Sequence, residues 1–221
     1  YRSRAPASFV TSAVGTARRC DPVGMDIRPA TIGDLPALYD VCLRTGDAGG
    51  DASEQFDDPD LLGSVYVGPY VALDGTIALA AVDDDGVGGY VLAALDTADF
   101  AVVCEREWWP ALRRRYPFPE SPTGRRDDEV IAHIHHPPLM PASVVERYPA
   151  HLHIDLLPRL QGGGNGRRMI ETLVAELQQV GASGVHLGVA AENARAIGFY
   201  EHVGFTTLHE DGAGRLMGRR W

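Results

Sequence analysis

Cysteine is scarce. Cys20, Cys42 and Cys104 are odd in number, far apart and without a C-x-x-C pair, which argues against a disulfide framework or a cysteine zinc site and fits reduced thiols in a cytoplasm. Long apolar runs are also missing. No stretch approaches the ~18–20 residues of a membrane-spanning helix, and the segment from Tyr1 to Gly24 lacks the apolar stretch of a secretory signal. No membrane role is expected. Positive charge is in deficit, with 20 basic against 30 acidic side chains and a formal net charge of −10. A field of that sign repels phosphate backbones, so nucleic acid is not an expected partner. Internal repeats and low-complexity tracts are absent as well. What is present is the composition of an ordinary globular protein, 45% hydrophobic and 23% charged over 221 residues, a length that suits one large domain.

Residues 1–24 are rich in Arg, Ser and Ala without a clear period and read as an N-terminal leader, so the domain is expected to run over residues 25–221 from a strand at Met25–Ala30. Thr31-Ile32-Gly33-Asp34 resembles a capping box, and Leu35, Leu38, Tyr39 and Cys42 give the following helix one apolar stripe up to Gly46. Residues 45–60, crowded with Gly and Asp around Phe56, suggest a mobile acidic loop. Tyr70–Leu73, Ile77–Val82 and Val87–Leu95 read as consecutive antiparallel strands, separated by the turn signals Asp74-Gly75 and Asp83-Asp84-Asp85-Gly86. The segment from about 99 to 149 carries Trp108, Trp109 and Arg113–Arg115, then helical fragments broken by prolines, and looks like an insertion. Beyond it come a strand at Leu152–Leu156, a glycine loop, a helix striped by Met169, Ile170, Leu173, Val174, Leu177 and Val180, and a strand at Val185–Val189. A helix over Ala194–His202 and a hairpin around Asp211-Gly212 complete the chain.

The loop Gln161-Gly162-Gly163-Gly164-Asn165-Gly166 joins a strand to a helix N-terminus, where unpaired amides and the helix dipole attract an anion such as phosphate. It lacks the G-K-[ST] ending of a nucleotide-hydrolase loop, and no acidic residue follows at the Rossmann distance. A tight turn without a ligand is the competing reading. The motif [QR]-x-x-G-x-[GA] after a strand is, however, the signature of the GNAT superfamily of acyl-CoA-dependent N-acyltransferases, and this loop resembles it throughout. A second block of that superfamily has its counterpart in Asn193-Ala194-Arg195-Ala196-Ile197-Gly198-Phe199-Tyr200 followed by Gly204-Phe205. A narrower resemblance, carried by Trp108-Trp109-Pro110, His135-His136-Pro137 and Tyr148-Pro149-Ala150-His151-Leu152-His153-Ile154-Asp155, is to bacterial proteins similar to the C-terminal domain of animal O-GlcNAcases. Those animal domains lack the glycine loop and are regarded as pseudo-acetyltransferases, whereas this chain keeps the loop and the tyrosine.

The resemblance implies an α/β (α+β) GNAT fold: a twisted, mostly antiparallel mixed sheet, with splayed fourth and fifth strands admitting the cofactor and helices on both faces. It implies a cytoplasmic acetyl-CoA-dependent N-acetyltransferase acting on a primary amine of a small molecule or protein, without a metal, with homodimerisation as a family-level expectation. The alternative is a non-catalytic acyl-CoA-binding module. Acyl transfer to an amine needs a base, donors for the developing oxyanion and an acid for the thiolate. By resemblance Tyr200 is the general acid, Asn193 orients the cofactor side of its helix, the backbone of Leu156 and Leu157 holds the pantetheine arm, and Gln161, Gly162, Gly163, Gly164, Asn165 and Gly166 bind the pyrophosphate. Strand alternation puts His151, His153 and Asp155 on one face, so Asp155 is the candidate base and Glu192 a weaker one. Competing structural readings make Tyr200 a core aromatic and Asp155 a partner of a loop or histidine. Convergence of His133, His135, His136, His151 and His153 on a metal is a minor reading. Trp108 and Trp109 either wall the acceptor pocket or are core, and Arg113–Arg115 either meet the 3′-phosphate or, preferably, face solvent.

Overall fold

The computed structural model describes residues 24–221, so the expected leader lies outside the described residues but for Gly24. In chain order the elements are β1 (Asp26–Pro29), α1 (Leu35–Thr45), α2 (Leu61–Tyr66), α3 (Gly68–Ala72), β2 (Thr76–Asp83), β3 (Gly86–Ala94), α4 (Thr97–Glu107), α5 (Trp109–Arg115), α6 (Arg126–His135), α7 (Ala142–Val145) and β4 (Ala150–Leu156). They continue with α8 (Asn165–Gln179), β5 (Gly184–Ala190), α9 (Ala194–His202), β6 (Thr206–Glu210) and β7 (Gly214–Arg220). The seven strands form one sheet in the order β1-β2-β3-β4-β5-β7-β6, antiparallel throughout except between β4 and β5.

Alternation along the central strand β3 builds a core on each face. Tyr90, Leu92 and Ala94 point to the side of α1–α6, where Leu38 and Ile134 are fully buried, while Val91 and Ala93 point to α8 and its Met169, Ile170, Leu173 and Leu177. The stripe of α8 is as read from the sequence except that Val180 is exposed, because the chain leaves the helix there and turns at Gly181 with φ +83°. Ahead of α1, Asp34 accepts from the Thr31 amide and hydroxyl and takes both guanidinium nitrogens of Arg28, at 2.6 and 2.8 Å. The capping box is therefore present, on a single 3₁₀ turn.

The layer of helices before β2 departs from the sequence reading. Tyr70–Leu73 is not a strand: Tyr70 to Ala72 lie in α3, where Pro69 sits in the first turn and Tyr70 packs into the core. Helix α2, unread in the sequence, covers residues 61–66 of the apolar run that precedes it. The acidic loop is irregular but fastened: Ala52 and Phe56 are buried, and Arg126 reaches from α6 to Asp47 at 3.1 Å and Gln55 at 2.7 Å. The residues read as an insertion fold as α4–α7; Trp109 is buried in the core and Trp108 packs against it, donating its indole N–H to the Ser64 carbonyl. Arg113 pairs with Glu105 and Arg115 with Asp58, so neither turns toward the glycine loop.

Candidate active site

Strand β4 is held by β3 along six residue pairs, from Ala94↔His151 to Gly89↔Leu156, and β5 by β7 along seven. Between β4 and β5 only Ala150↔Val185 and His151↔His186 pair. Each strand follows the twist of its own antiparallel partner, so the two part beyond that point. The gap opens a cleft of about 770 Å³ lined by β4, the glycine loop, β5 and α9.

At the foot of the cleft Gly162, Gly163 and Gly164 take φ of +80°, +59° and +83° in succession, a conformation open to glycine and costly to other residues. Their N–H groups, and those of Gly166 and Arg167 in the first turn of α8, donate to no partner among the described residues. Such a run of free N–H groups ahead of a helix is an anion cradle. Gly166 leaves room for α9, since a Cβ there would stand 3.1 Å from the Phe199 ring. Asn165 is buried; its amide donates to the Leu160 carbonyl, and its Oδ1 has no partner among the described residues. Gln161 is fixed twice, donating to the Leu156 carbonyl at 2.8 Å and accepting from Arg195 at 2.7 Å.

On β4, Leu156 stands opposite Gly89 in a pair without mutual hydrogen bonds, as the next bond, from the Leu157 amide to the Gly88 carbonyl, fixes. The Leu156 N–H therefore points into the gap. Leu157 does not: its amide is spent on Gly88 and its side chain is buried in the helical-layer core, which removes it from the expected pantetheine contacts. Asp155 faces the cleft and accepts a 2.5 Å hydrogen bond from Tyr90 across the strand pair. Burial pushes its carboxyl up to about 7, against the pull of the tyrosine. His153 faces the same cleft and is driven down to about 4 by burial and by the neighbouring His133 and His186.

Tyr200 reaches the cleft from the middle of α9, its ring between Phe199 and Phe205. Its hydroxyl makes no hydrogen bond among the described residues, and burial, followed by the Asp155 charge, raises it above the ordinary tyrosine range. It stays protonated at neutral pH. Asn193 caps α9 by accepting from the Ala196 amide at 3.0 Å, so its side-chain oxygen serves the helix first. Glu192 also lines the cleft.

Against known proteins, the family model described as the acetyltransferase (GNAT) family matches residues 79–205, more than half of the chain. The chain belongs to the GNAT family. It is by that membership an acyltransferase of the N-acetyltransferase type, and acetyl-CoA is the family's cosubstrate. A crystal structure of SsHAT is 36% identical with a TM-score of 0.82, covering 89% of this chain and 98% of that one. A GCN5-related N-acetyltransferase from Kribbella flavida, 15% identical at TM-score 0.53 over 91% of this chain and 100% of that one, shares the fold. Protein O-GlcNAcase of Rattus norvegicus is 25% identical over 180 residues, which are 80% of this chain and 20% of the rat protein. The chain thus spans about a fifth of the length of that curated relative.

Within the GNAT fold the loop fits the phosphates of CoA because its consecutive left-handed glycines carry unpaired amides. Two cations that sequence reasoning missed, Arg167 and Arg195, stand on the cleft wall where Arg113–Arg115 do not. Their signal was positional, each lying within or next to a recognised block. The opposite wall adds Thr45 at the end of α1 and Ala48 and Gly49 from the acidic loop. His151 and His153 converge on the Tyr70 hydroxyl, and among the described residues no group of three or more His, Cys, Asp or Glu is placed to hold an ion.

Proposed function

We propose that this protein transfers the acetyl group of acetyl-CoA to a primary amine, with Asp155 as general base and Tyr200 as general acid. The observation that carries the reading is that a carboxylate with a raised pKa and a protonated, unpartnered tyrosine hydroxyl line one cleft that ends on an anion cradle. The amides of the Gly162–Gly166 loop, with Arg167 and Arg195 beside them, would hold the pyrophosphate, and the Leu156 N–H would meet the pantetheine arm or the thioester oxygen. Bound acetyl-CoA supplies an activated acyl group on a thiol. Asp155, titrating near neutrality, is matched to accept a proton from an ammonium acceptor, and Tyr200 to give one to the departing sulfur. Asp155 and Glu192 also make the acceptor side favour a cation. A homodimer is the family-level expectation, readable by sedimentation. The free, buried Cys42 and Cys104 suit a reducing compartment such as the cytoplasm.

The test is thiol release from acetyl-CoA with n-butylamine, a polyamine and a lysine-bearing peptide as acceptors, with mass spectrometry of the products. Amine-dependent release and an acetylated product are expected. Tight acetyl-CoA binding without release for any acceptor would replace transfer by the non-catalytic, acyl-CoA-binding reading.

A further inference from the structure

A chain of short polar contacts runs behind β4 into the cleft. The Thr97 hydroxyl lies 2.8 Å from the Pro149 carbonyl and 2.9 Å from His151 Nδ1; His151 Nε2 lies 2.7 Å from the Tyr70 hydroxyl; and that hydroxyl lies 3.0 Å from His153 Nε2. Every contact needs one proton, and the first partner, a carbonyl, can only accept. Thr97 must therefore donate to Pro149 and accept from His151 Nδ1–H. With that proton on Nδ1, a neutral His151 has a bare Nε2, so Tyr70 donates to it. The Tyr70 oxygen is then left to accept, and His153 must carry its proton on Nε2. The other ring nitrogen, Nδ1, is consequently an unprotonated lone pair. It has no hydrogen-bond partner among the described residues and belongs to a side chain on the wall shared with Asp155 and Tyr200.

We infer that His153 binds the acceptor: its Nδ1 takes one N–H of the incoming amine, and Tyr70 is the positioning residue that locks the tautomer. This rests on the amine-transfer reading above and gives it a second contact on the acceptor side, two residues from the proposed base. The groups around His153 are neutral or unable to displace its proton. Tyr66 of α2 packs edge-on at 5.8 Å between ring centroids, Tyr70 of α3 at 5.2 Å and His151 of β4 at 6.2 Å. His133 of α6 and His186 of β5 are themselves held down by burial. A ring fixed in one tautomer and one orientation offers its lone pair without reorganisation when the amine arrives.

Ring-nitrogen NMR on CoA-bound protein, titrated with n-butylamine, tests this without turnover. His153 should show a protonated Nε2 and a bare Nδ1, and only the Nδ1 signal should move as amine is added. Tyr70→Phe should mix the two tautomers of His153. His153→Gln keeps a donor toward Tyr70 but has no acceptor at the Nδ1 position; it should lower kcat/KM for n-butylamine by at least about tenfold, with acetyl-CoA affinity by calorimetry unchanged. A proton on His153 Nδ1 in the wild type, or an Nδ1 signal indifferent to amine, overturns the assignment even if Tyr70→Phe fails to fold. Amine contact at His153 with no thiol release would count against the transfer reading alone. Transfer that His153→Gln leaves intact would count against this one alone.

Discussion

Replacing Tyr200 by phenylalanine keeps the ring that packs between Phe199 and Phe205 and deletes only the hydroxyl. If that hydroxyl protonates the leaving thiolate, turnover should fall by roughly 10²–10⁴-fold while calorimetric acetyl-CoA affinity stays close to wild type. Equal turnover would make Tyr200 a packing residue. Asp155→Asn separates stability from chemistry. The carboxyl is raised from 3.8 to about 7 in the fold, so the neutral form is favoured there. The wild type is therefore unpenalised below pH 4, loses stability as pH rises to about 7, and carries the full cost above it. Asn, which is neutral throughout and can still accept from Tyr90, should be more stable than wild type at pH 8 by up to about 4 kcal/mol, with no such advantage at pH 3.5. Urea midpoints at the two pH values read this difference, and a variant less stable at both would show that the carboxylate is a structural partner. The same variant should lose most of its transfer rate at pH 7.

Among the elements, the loop before α8 is the most sensitive. Gly164→Glu puts a Cβ where φ is +83° and a negative charge among the amides proposed to hold phosphate, with open space around the new Cβ. The strain should cost about 1–2 kcal/mol, whereas acetyl-CoA binding should vanish from calorimetry; a bound cofactor in that variant would move the cradle elsewhere. This loop was legible because backbone chemistry dictates its residue types: only glycine tolerates three left-handed positions in a row. Helix α8 and strand β3 were legible for a similar reason, each showing its own period over many residues. Helix α3 was not, because a four-residue apolar run such as Tyr70–Leu73 has no period of its own, and only the burial of Tyr70 beside β4 decides it. The misplaced Leu157 has the same origin, since an amide's direction follows from strand register and not from the residue. Nor was the polarity of His153 readable, because it is set through His151 by Tyr70 and Thr97, which lie 81 and 54 residues from His151.

For the molecule as a whole, His133, His151, His153 and His186 are all lowered by burial, so the unfolded chain takes up protons near pH 6.5 that the fold resists. Their contribution is present above pH 6.5 and is lost as pH falls, four groups against the opposing, burial-raised carboxyls of Asp155 and Glu176. The urea midpoint should therefore be lower at pH 5 than at pH 7.5, and the reverse order would mean that these imidazoles charge freely in the fold. A chain starting at Gly24 should retain its melting temperature and acetyl-CoA affinity, but removing the buried Met25 as well should not be silent. All 20 basic residues are arginine, so no side-chain amine of the protein competes as an acceptor and any acetyl-lysine found in an assay belongs to the peptide supplied. The parting of β4 from β5 also has a kinetic face. Among the described residues, two paired positions are the strand-to-strand pairing between a four-strand half of the sheet and a three-strand half. The Ile154 and Leu156 amides, pointing away from β3 into the seam, should trade deuterium with solvent quickly in the empty protein and slowly once CoA lies between the halves, while the neighbouring His153 and Asp155 amides, bonded to β3, stay slow in both. The cofactor would then act as the missing rungs of the sheet, and its occupancy could be read from two backbone protons.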